Sequence, residues 1–172
     1  MRNTLILLIF LTPNIILGQE NYIEKTIKNH FIKLDKIECK YTQKKEISMI
    51  NEPLVSTGIL NYEKGSDFIW TQETPFKKIY LINEKAKNKF DEYINKFIIS
   101  IITGEILDDK KLEVIYSQNN DKYKIIMTPK KGAIKNKLKT INLTFRKKTI
   151  SLSRLEIVFK NSDVTNIYFY EN

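Results

Sequence analysis

The chain has 172 residues, of which 42 % are hydrophobic, and its 29 basic and 20 acidic residues give a net charge of +9. This length and apolar fraction predict one domain with a substantial core. One histidine (His30), one cysteine (Cys39) and five glycines are too few for a catalytic triad, a zinc site or a glycine-rich phosphate loop. We therefore expect no enzyme and no metal or other cofactor. Isoleucine dominates the apolar residues, which favours strands.

The first residues are typical of a secretory signal peptide. Arg2 precedes an apolar stretch that Pro13 interrupts and that ends at Gly18, which is too short and too broken for a membrane span. We predict cleavage after Gly18, which makes residues 1–18 a signal peptide and residues 19–172 a soluble exported domain. An uncleaved anchor is the alternative. Without Arg2, 28 basic and 20 acidic residues leave a net charge of +8.

Two segments show the periodicity of helices. Apolar residues in 22–36 recur every three or four positions, which predicts an amphipathic helix with His30 beside the apolar stripe as a partly buried structural residue. The same spacing in 91–103, which ends at Gly104, predicts a second helix. This second helix is apolar around most of its circumference, which exceeds what packing on one face of a sheet requires.

The rest of the chain alternates apolar and polar residues between turn-forming residues, which predicts strands. The predicted strands are 37–43, 54–63, 68–72, 76–83, 112–116, 122–128, 140–145, 150–159 and 164–170. Cys39 lies on the first of them and, with no partner for a disulfide, is expected to be a small buried residue. Short gaps between strands favour consecutive hairpins, so we predict an α+β domain in which one long antiparallel sheet curls around two helices. The surplus of apolar residues fits a carrier of apolar ligands, and a well-filled core is the alternative.

One stretch concentrates positive charge. Five of its ten residues are lysines, namely Lys130, Lys131, Lys135, Lys137 and Lys139. A solvated loop and strand face is one interpretation, and a docking surface for anionic lipid headgroups or an acidic partner is the other. Nucleic acid is not expected as a partner, because no aromatic residue lies among these lysines to stack on a base.

Several motifs, in this order along the chain, resemble the LolA-type periplasmic lipoprotein carriers. The family's F-x-Q, G-x-L, F-x-W and L-x-P strands are similar to Tyr41-Thr-Gln43, Gly58-Ile-Leu60, Phe68-Ile-Trp70 and Met127-Thr-Pro129. The apolar helix before Gly104 and the segment 161–169 also resemble the family. The similarity extends from residue 37 to residue 169.

The resemblance implies a single-domain, half-open β-barrel whose helices form a lid over an apolar cavity. It implies a periplasmic, monomeric carrier that binds the acyl chains of lipoproteins or related lipids and shuttles them from the inner to the outer membrane. Its implied partners are an inner-membrane release transporter and an outer-membrane acceptor. The alternative is a non-carrier periplasmic module that binds anionic lipid or a protein through its basic face. A hydrolase with paired carboxylates is disfavoured, because adjacent residues such as Asp108 and Asp109 point apart.

The resemblance also assigns residues to the cavity. Phe68 and Trp70, on the strand that matches the F-x-W motif, are expected to face it. The other residues expected to line it are Leu60, Tyr62, Ile79, Leu81, Ile98, Ile101, Ile125, Met127, Ile141 and Leu143. Where family members use an arginine to hold the lid closed, this chain has Lys64, so a latch here is expected to be looser or differently built.

Overall fold

The computed structural model describes residues 14–66, 68–82, 97, 99–101 and 105–171, which contain nine strands, three helices with described bounds, and helical residues at 97 and 99–101. The helices are α1 (Asn14–Ile32), a short 3-10 helix (Glu105–Asp108) and α2 (Ala133–Lys137). The strands are β1 (Lys36–Glu46), β2 (Leu54–Glu63), β3 (Phe68–Thr74), β4 (Lys78–Ile82), β5 (Leu112–Gln118), β6 (Lys122–Pro129), β7 (Leu138–Arg146), β8 (Leu152–Phe159) and β9 (Val164–Tyr170).

The nine strands form one antiparallel sheet in the order β4-β3-β2-β1-β9-β8-β7-β6-β5. Neighbours in this order are also neighbours in sequence, except that β1 pairs with β9 and so joins the first described strand to the last. Strands β4 and β5 are the two edges, so the sheet is open within the part of the chain that the structure describes. The predicted fold class, an α+β domain with one curled, incomplete antiparallel barrel, is confirmed.

The core lies between α1 and the inner face of the sheet. Because side chains alternate across a strand, every second residue of β6 is buried, namely Tyr123, Ile125 and Met127. Ile23, Ile27 and Phe31 cover this face from α1, at the spacing of a helix stripe. Each buried apolar side chain of this size contributes about 1.5–3 kcal/mol to folding.

The predicted elements differ from the structure mainly at their ends. Strands β2 and β9 have the predicted bounds, and the other strands begin or end a few residues away. Helix α1 ends at Ile32 instead of residue 36, because the chain turns there and the Asp35 carbonyl accepts a hydrogen bond from the Lys64 amide at 2.8 Å. Of the predicted helix 91–103, only Phe97 and residues 99–101 are described; these are helical, and the remainder lies outside the described residues.

None of the described helices is both long and apolar enough to cross a membrane.

Candidate functional site

A cavity of about 310 Å³ opens at one end of the sheet. It lies between the end of α1, the first half of β1, the turn between β7 and β8, and the end of β9. Its volume is at the lower end of the range for small-molecule sites, about 300–1,000 Å³. The lining residues are His30, Phe31, Leu34, Lys36, Ile37, Glu38, Cys39, Leu60, Arg146, Ile150, Ser151, Leu152, Phe169, Tyr170 and Glu171.

The walls of the cavity are apolar because several inward-facing residues meet there. Cys39 of β1 pairs with Leu60 of β2, so both side chains lie on the inner face. Phe31 closes the cavity from α1, and its ring packs edge-on against Phe145 with centroids 5.9 Å apart. Burial of Cys39 raises the pKa of its thiol to about 11, which keeps it protonated and unreactive at neutral pH.

One side of the rim is formed by an arginine and a glutamate. Arg146 donates to the Phe169 carbonyl at 2.9 Å, and its guanidinium lies 3.7 Å from the Glu171 carboxylate. Glu171 also accepts hydrogen bonds from the hydroxyls of Ser151 and Thr149. These two hydrogen bonds, with the nearby Arg146 charge, lower the pKa of Glu171. The last residues of β9 are thereby tied to the turn between β7 and β8.

The other side of the rim carries a second ion pair, between Lys36 and Glu38 at 3.1 Å. His30 lines the cavity next to it, and burial lowers the pKa of this histidine, so it is neutral at pH 7. The positive charges of the rim therefore each have a carboxylate beside them. Such a site accepts an apolar chain with a neutral polar group and does not select for a free anion.

Most residues that the resemblance assigned to the cavity lie elsewhere on the inner face. Leu60 lines the cavity. Seven others are buried in the core, namely Phe68, Trp70, Ile101, Ile125, Met127, Ile141 and Leu143. Tyr62 is half-buried against the core, and Ile98 lies outside the described residues. Trp70 packs against the Tyr41 ring with centroids 4.6 Å apart, within this core.

The expected positions of Ile79 and Leu81 are corrected by the strand register. In the pairing of β3 with β4, Trp70 is opposite Tyr80, whereas Ile79 and Leu81 are opposite outward-facing residues of β3. Paired residues share a face of the sheet, so these two side chains lie on the outer face, where they are 63 % and 55 % exposed. They do not share a cavity with Phe68 and Trp70.

The predicted latch and the predicted basic surface are both exposed. Lys64 lies in the turn between β2 and β3, beside the cavity end of the sheet, and its role as a latch stays a prediction. The five lysines Lys130, Lys131, Lys135, Lys137 and Lys139 surround and include α2, a short helix where the sequence predicts a loop and a strand. They lie at the other end of the sheet.

The sequence reasoning did not assign Arg146 or Glu171 to a site. The only signal available was the rarity of arginine, since Arg146 is one of three in the chain. Nothing local to residue 146 indicates that Phe169 and Glu171 lie against it, because β7 and β9 are separated by β8 in the sheet.

Among solved structures, the chain is similar to a DUF1329 family protein from Desulfovibrio piger ATCC 29098, with 13 % identity, a TM-score of 0.41, and coverage of 89 % of this chain and 91 % of that chain. It is also similar to a LolA superfamily protein from Nitrosomonas europaea, with 6 % identity, a TM-score of 0.37, and coverage of 88 % and 91 %. The latter belongs to the superfamily that the sequence motifs resemble. No protein-family model matches the chain, and a search of curated proteins finds no match.

Proposed function

We propose that this protein is a carrier that binds one acyl chain of a lipid-modified protein, or of a related lipid, in the cavity at the end of the sheet. The carrier works in the periplasm after export through residues 1–18, and it takes its cargo from an inner-membrane release transporter to an outer-membrane acceptor. It performs no catalytic step. The observation that carries this proposal is a cavity with apolar walls and a polar rim whose charges are paired.

The volume of the cavity supports a single chain. A methylene group occupies about as much space as a water molecule, about 30 Å³, so a cavity of 310 Å³ holds roughly ten of them. Burial of ten methylenes stabilises the complex by about 8 kcal/mol before the cost of ordering the chain. This energy suits reversible transport, because it holds the chain in water and still permits release to an acceptor.

The rim supports a chain that ends in an ester or amide. Arg146 and Lys36 each have a carboxylate partner, Glu171 and Glu38, so a free fatty acid finds no unpaired cation there. An ester or amide carbonyl needs only a hydrogen-bond donor, and the imidazole of His30 lies at the rim. We therefore expect an N-palmitoylated peptide to bind at least as tightly as free palmitate.

The proposal is tested by filling the cavity. Leu152 lines the cavity and is only half-buried, so Leu152→Trp occupies part of its volume without replacing a core residue. Tryptophan is larger than leucine by about two methylenes, so at about 0.8 kcal/mol each the variant is expected to bind the N-palmitoylated peptide roughly tenfold to twentyfold more weakly. Isothermal titration calorimetry measures this change, and mass spectrometry of protein purified from envelopes identifies the lipids that accompany it.

The matched control is Leu81→Trp. Leu81 is exposed on the outer face of β4, so this variant is expected to bind the peptide as the unmodified protein does. Equal binding by all three proteins would refute the cavity as the site. Absence of any acylated ligand, both in the titration and in the purified protein, would instead favour the non-carrier module.

A further inference from the structure

Hydrogen bonds bring several lysine-bearing segments together at the end of the sheet opposite the cavity. The Lys130 amide donates to the Lys111 carbonyl at 2.8 Å, and the Lys160 amide donates to the Lys137 carbonyl at 2.9 Å. We call this surface the lysine end. Its exposed lysines are Lys110, Lys111, Lys130, Lys131, Lys135, Lys137, Lys139 and Lys160. They outnumber the carboxylates that the described residues place there, which are Glu46, Glu52, Glu105, Asp109, Glu113 and Asp163.

Two of those carboxylates accept hydrogen bonds, Asp109 within its own turn and Asp163 from the loop between β1 and β2. Asp109 accepts from the Lys111 amide at 2.8 Å. Asp163 accepts from the amide and the hydroxyl of Ser48, at 2.9 and 3.1 Å. Both carboxylates stay charged, and the lysine end has a net positive charge because its exposed lysines outnumber its carboxylates.

An apolar tip lies beside these lysines. The Ser48 contact with Asp163 holds the loop between β1 and β2 against the turn between β8 and β9, which begins with Lys160. The next two residues of this loop, Met49 and Ile50, are 91 % and 48 % exposed. Exposed apolar side chains on a surface that also carries lysines are typical of proteins that enter the headgroup region of a membrane.

We propose that the lysine end and the tip formed by Met49 and Ile50 dock this protein on a bilayer that contains anionic phospholipid. The lysines attract the negative surface, and the two apolar side chains enter the interface. A nucleic acid would satisfy the lysines but would leave Met49 in water, and an acidic protein would need an apolar pocket to receive it. The combination of charge and apolar tip therefore favours a lipid surface.

The docked orientation follows from the sheet. Strand β7 begins at Leu138, at the lysine end, and finishes at Arg146, on the rim of the cavity. Nine residues of strand span roughly 30 Å. A molecule docked by its lysine end therefore holds the opening of the cavity roughly this far from that bilayer.

The test is sedimentation of the full chain with vesicles of phosphatidylcholine that contain or lack phosphatidylglycerol. Each lysine near an anionic surface strengthens partitioning about fivefold, so replacing Lys130, Lys131 and Lys135 by glutamine predicts about a hundredfold loss. Met49→Ser is expected to weaken binding further, and salt at about 0.5 M to abolish most of it, because the Debye length is then only a few ångströms. Binding to neutral vesicles measures how much the apolar residues within 1–18 contribute to membrane binding. This contribution is the same in all variants.

The matched control removes the same charge near the cavity end. Lys122, Lys124 and Lys148 are exposed, and their replacement by glutamine is expected to change binding to anionic vesicles by less than threefold. Ile115→Ser is the control for Met49→Ser, since Ile115 is exposed in the middle of β5. Equal loss in the two triple variants would show attraction by net charge alone and refute a docking surface. Failure of the unmodified protein to prefer anionic vesicles would refute the proposal outright.

Discussion

At the scale of single residues, Cys39 shows how position in the fold sets reactivity. The sequence predicts a small buried residue, because a lone cysteine in an exported chain has no disulfide partner. In the structure it is half-buried on the inner face of β1 and lines the cavity. Its presence in the cavity was not predictable, because the neighbours that form the cavity with it come from distant parts of the sequence.

Cys39 provides a test of the cavity that requires no substitution. Burial raises its pKa to about 11, so we expect alkylation by iodoacetamide to be slow at pH 7 and to accelerate about tenfold per pH unit up to that value. Bound N-palmitoylated peptide should slow the reaction further by covering the thiol. Mass spectrometry measures the labelled fraction, with Cys39→Ser as the blank. Alkylation at pH 7 as fast as that of an unfolded chain would contradict the assigned burial.

At the scale of elements, Gly58 explains why β2 approaches β3 so closely. A Cβ atom at this position would lie 1.9 Å from the Thr71 carbonyl oxygen and 2.9 Å from the Tyr41 ring. The register of β2 with β3 shifts between Thr57 and Gly58, which identifies a bulge at this point. Glycine is therefore required here by close packing, within the segment that resembles the G-x-L strand.

We predict that Gly58→Ala destabilises the fold by about 1–3 kcal/mol, the usual cost of overpacking. The added methyl must displace either the backbone of Thr71 or the ring of Tyr41. Urea unfolding, followed by the emission of Trp70 beside Tyr41, measures the change in unfolding free energy. The control is Asn61→Ala, on the outer face of the same strand, which should cost less than about 0.5 kcal/mol. If Gly58→Ala left the unfolding free energy unchanged, β2 and β3 would be able to move apart without cost.

The sequence predicts elements well where alternation is clear and less well where it is not. Strand β6 alternates apolar and polar residues through most of its length, and its bounds differ from the prediction by one residue. Strand β4 reads Lys-Ile-Tyr-Leu-Ile, with four apolar residues in succession, so alternation does not show which face is inward. The assignment of Ile79 and Leu81 to the inner face was wrong for this reason. Helix α2 is only five residues long, too short to show helical periodicity.

At the scale of the whole molecule, the predicted cavity and the observed cavity differ in position. The residues expected to line a cavity mostly pack against one another and against Ile23 and Ile27 of α1. The observed cavity is displaced toward the end of the sheet, where α1 finishes and the last residues of β9 meet the turn between β7 and β8. The cavity is lined by residues as distant in sequence as His30 and Glu171. It forms because β1 pairs with β9, which brings these residues together. Such long-range pairing leaves no local pattern in the sequence.

The two ends of the sheet are expected to act independently, since sites this far apart with no shared residue give additive effects. We predict that Leu152→Trp loses most of its affinity for the N-palmitoylated peptide and still sediments with anionic vesicles as the unmodified protein does. The variant with Lys130, Lys131 and Lys135 replaced by glutamine should show the reverse. Calorimetry and vesicle sedimentation on the same three preparations check both statements. If either variant lost peptide binding and vesicle binding together, the acyl chain and the bilayer would be bound at one site. The proposal of a cavity at one end of the sheet and a docking surface at the other would then be wrong.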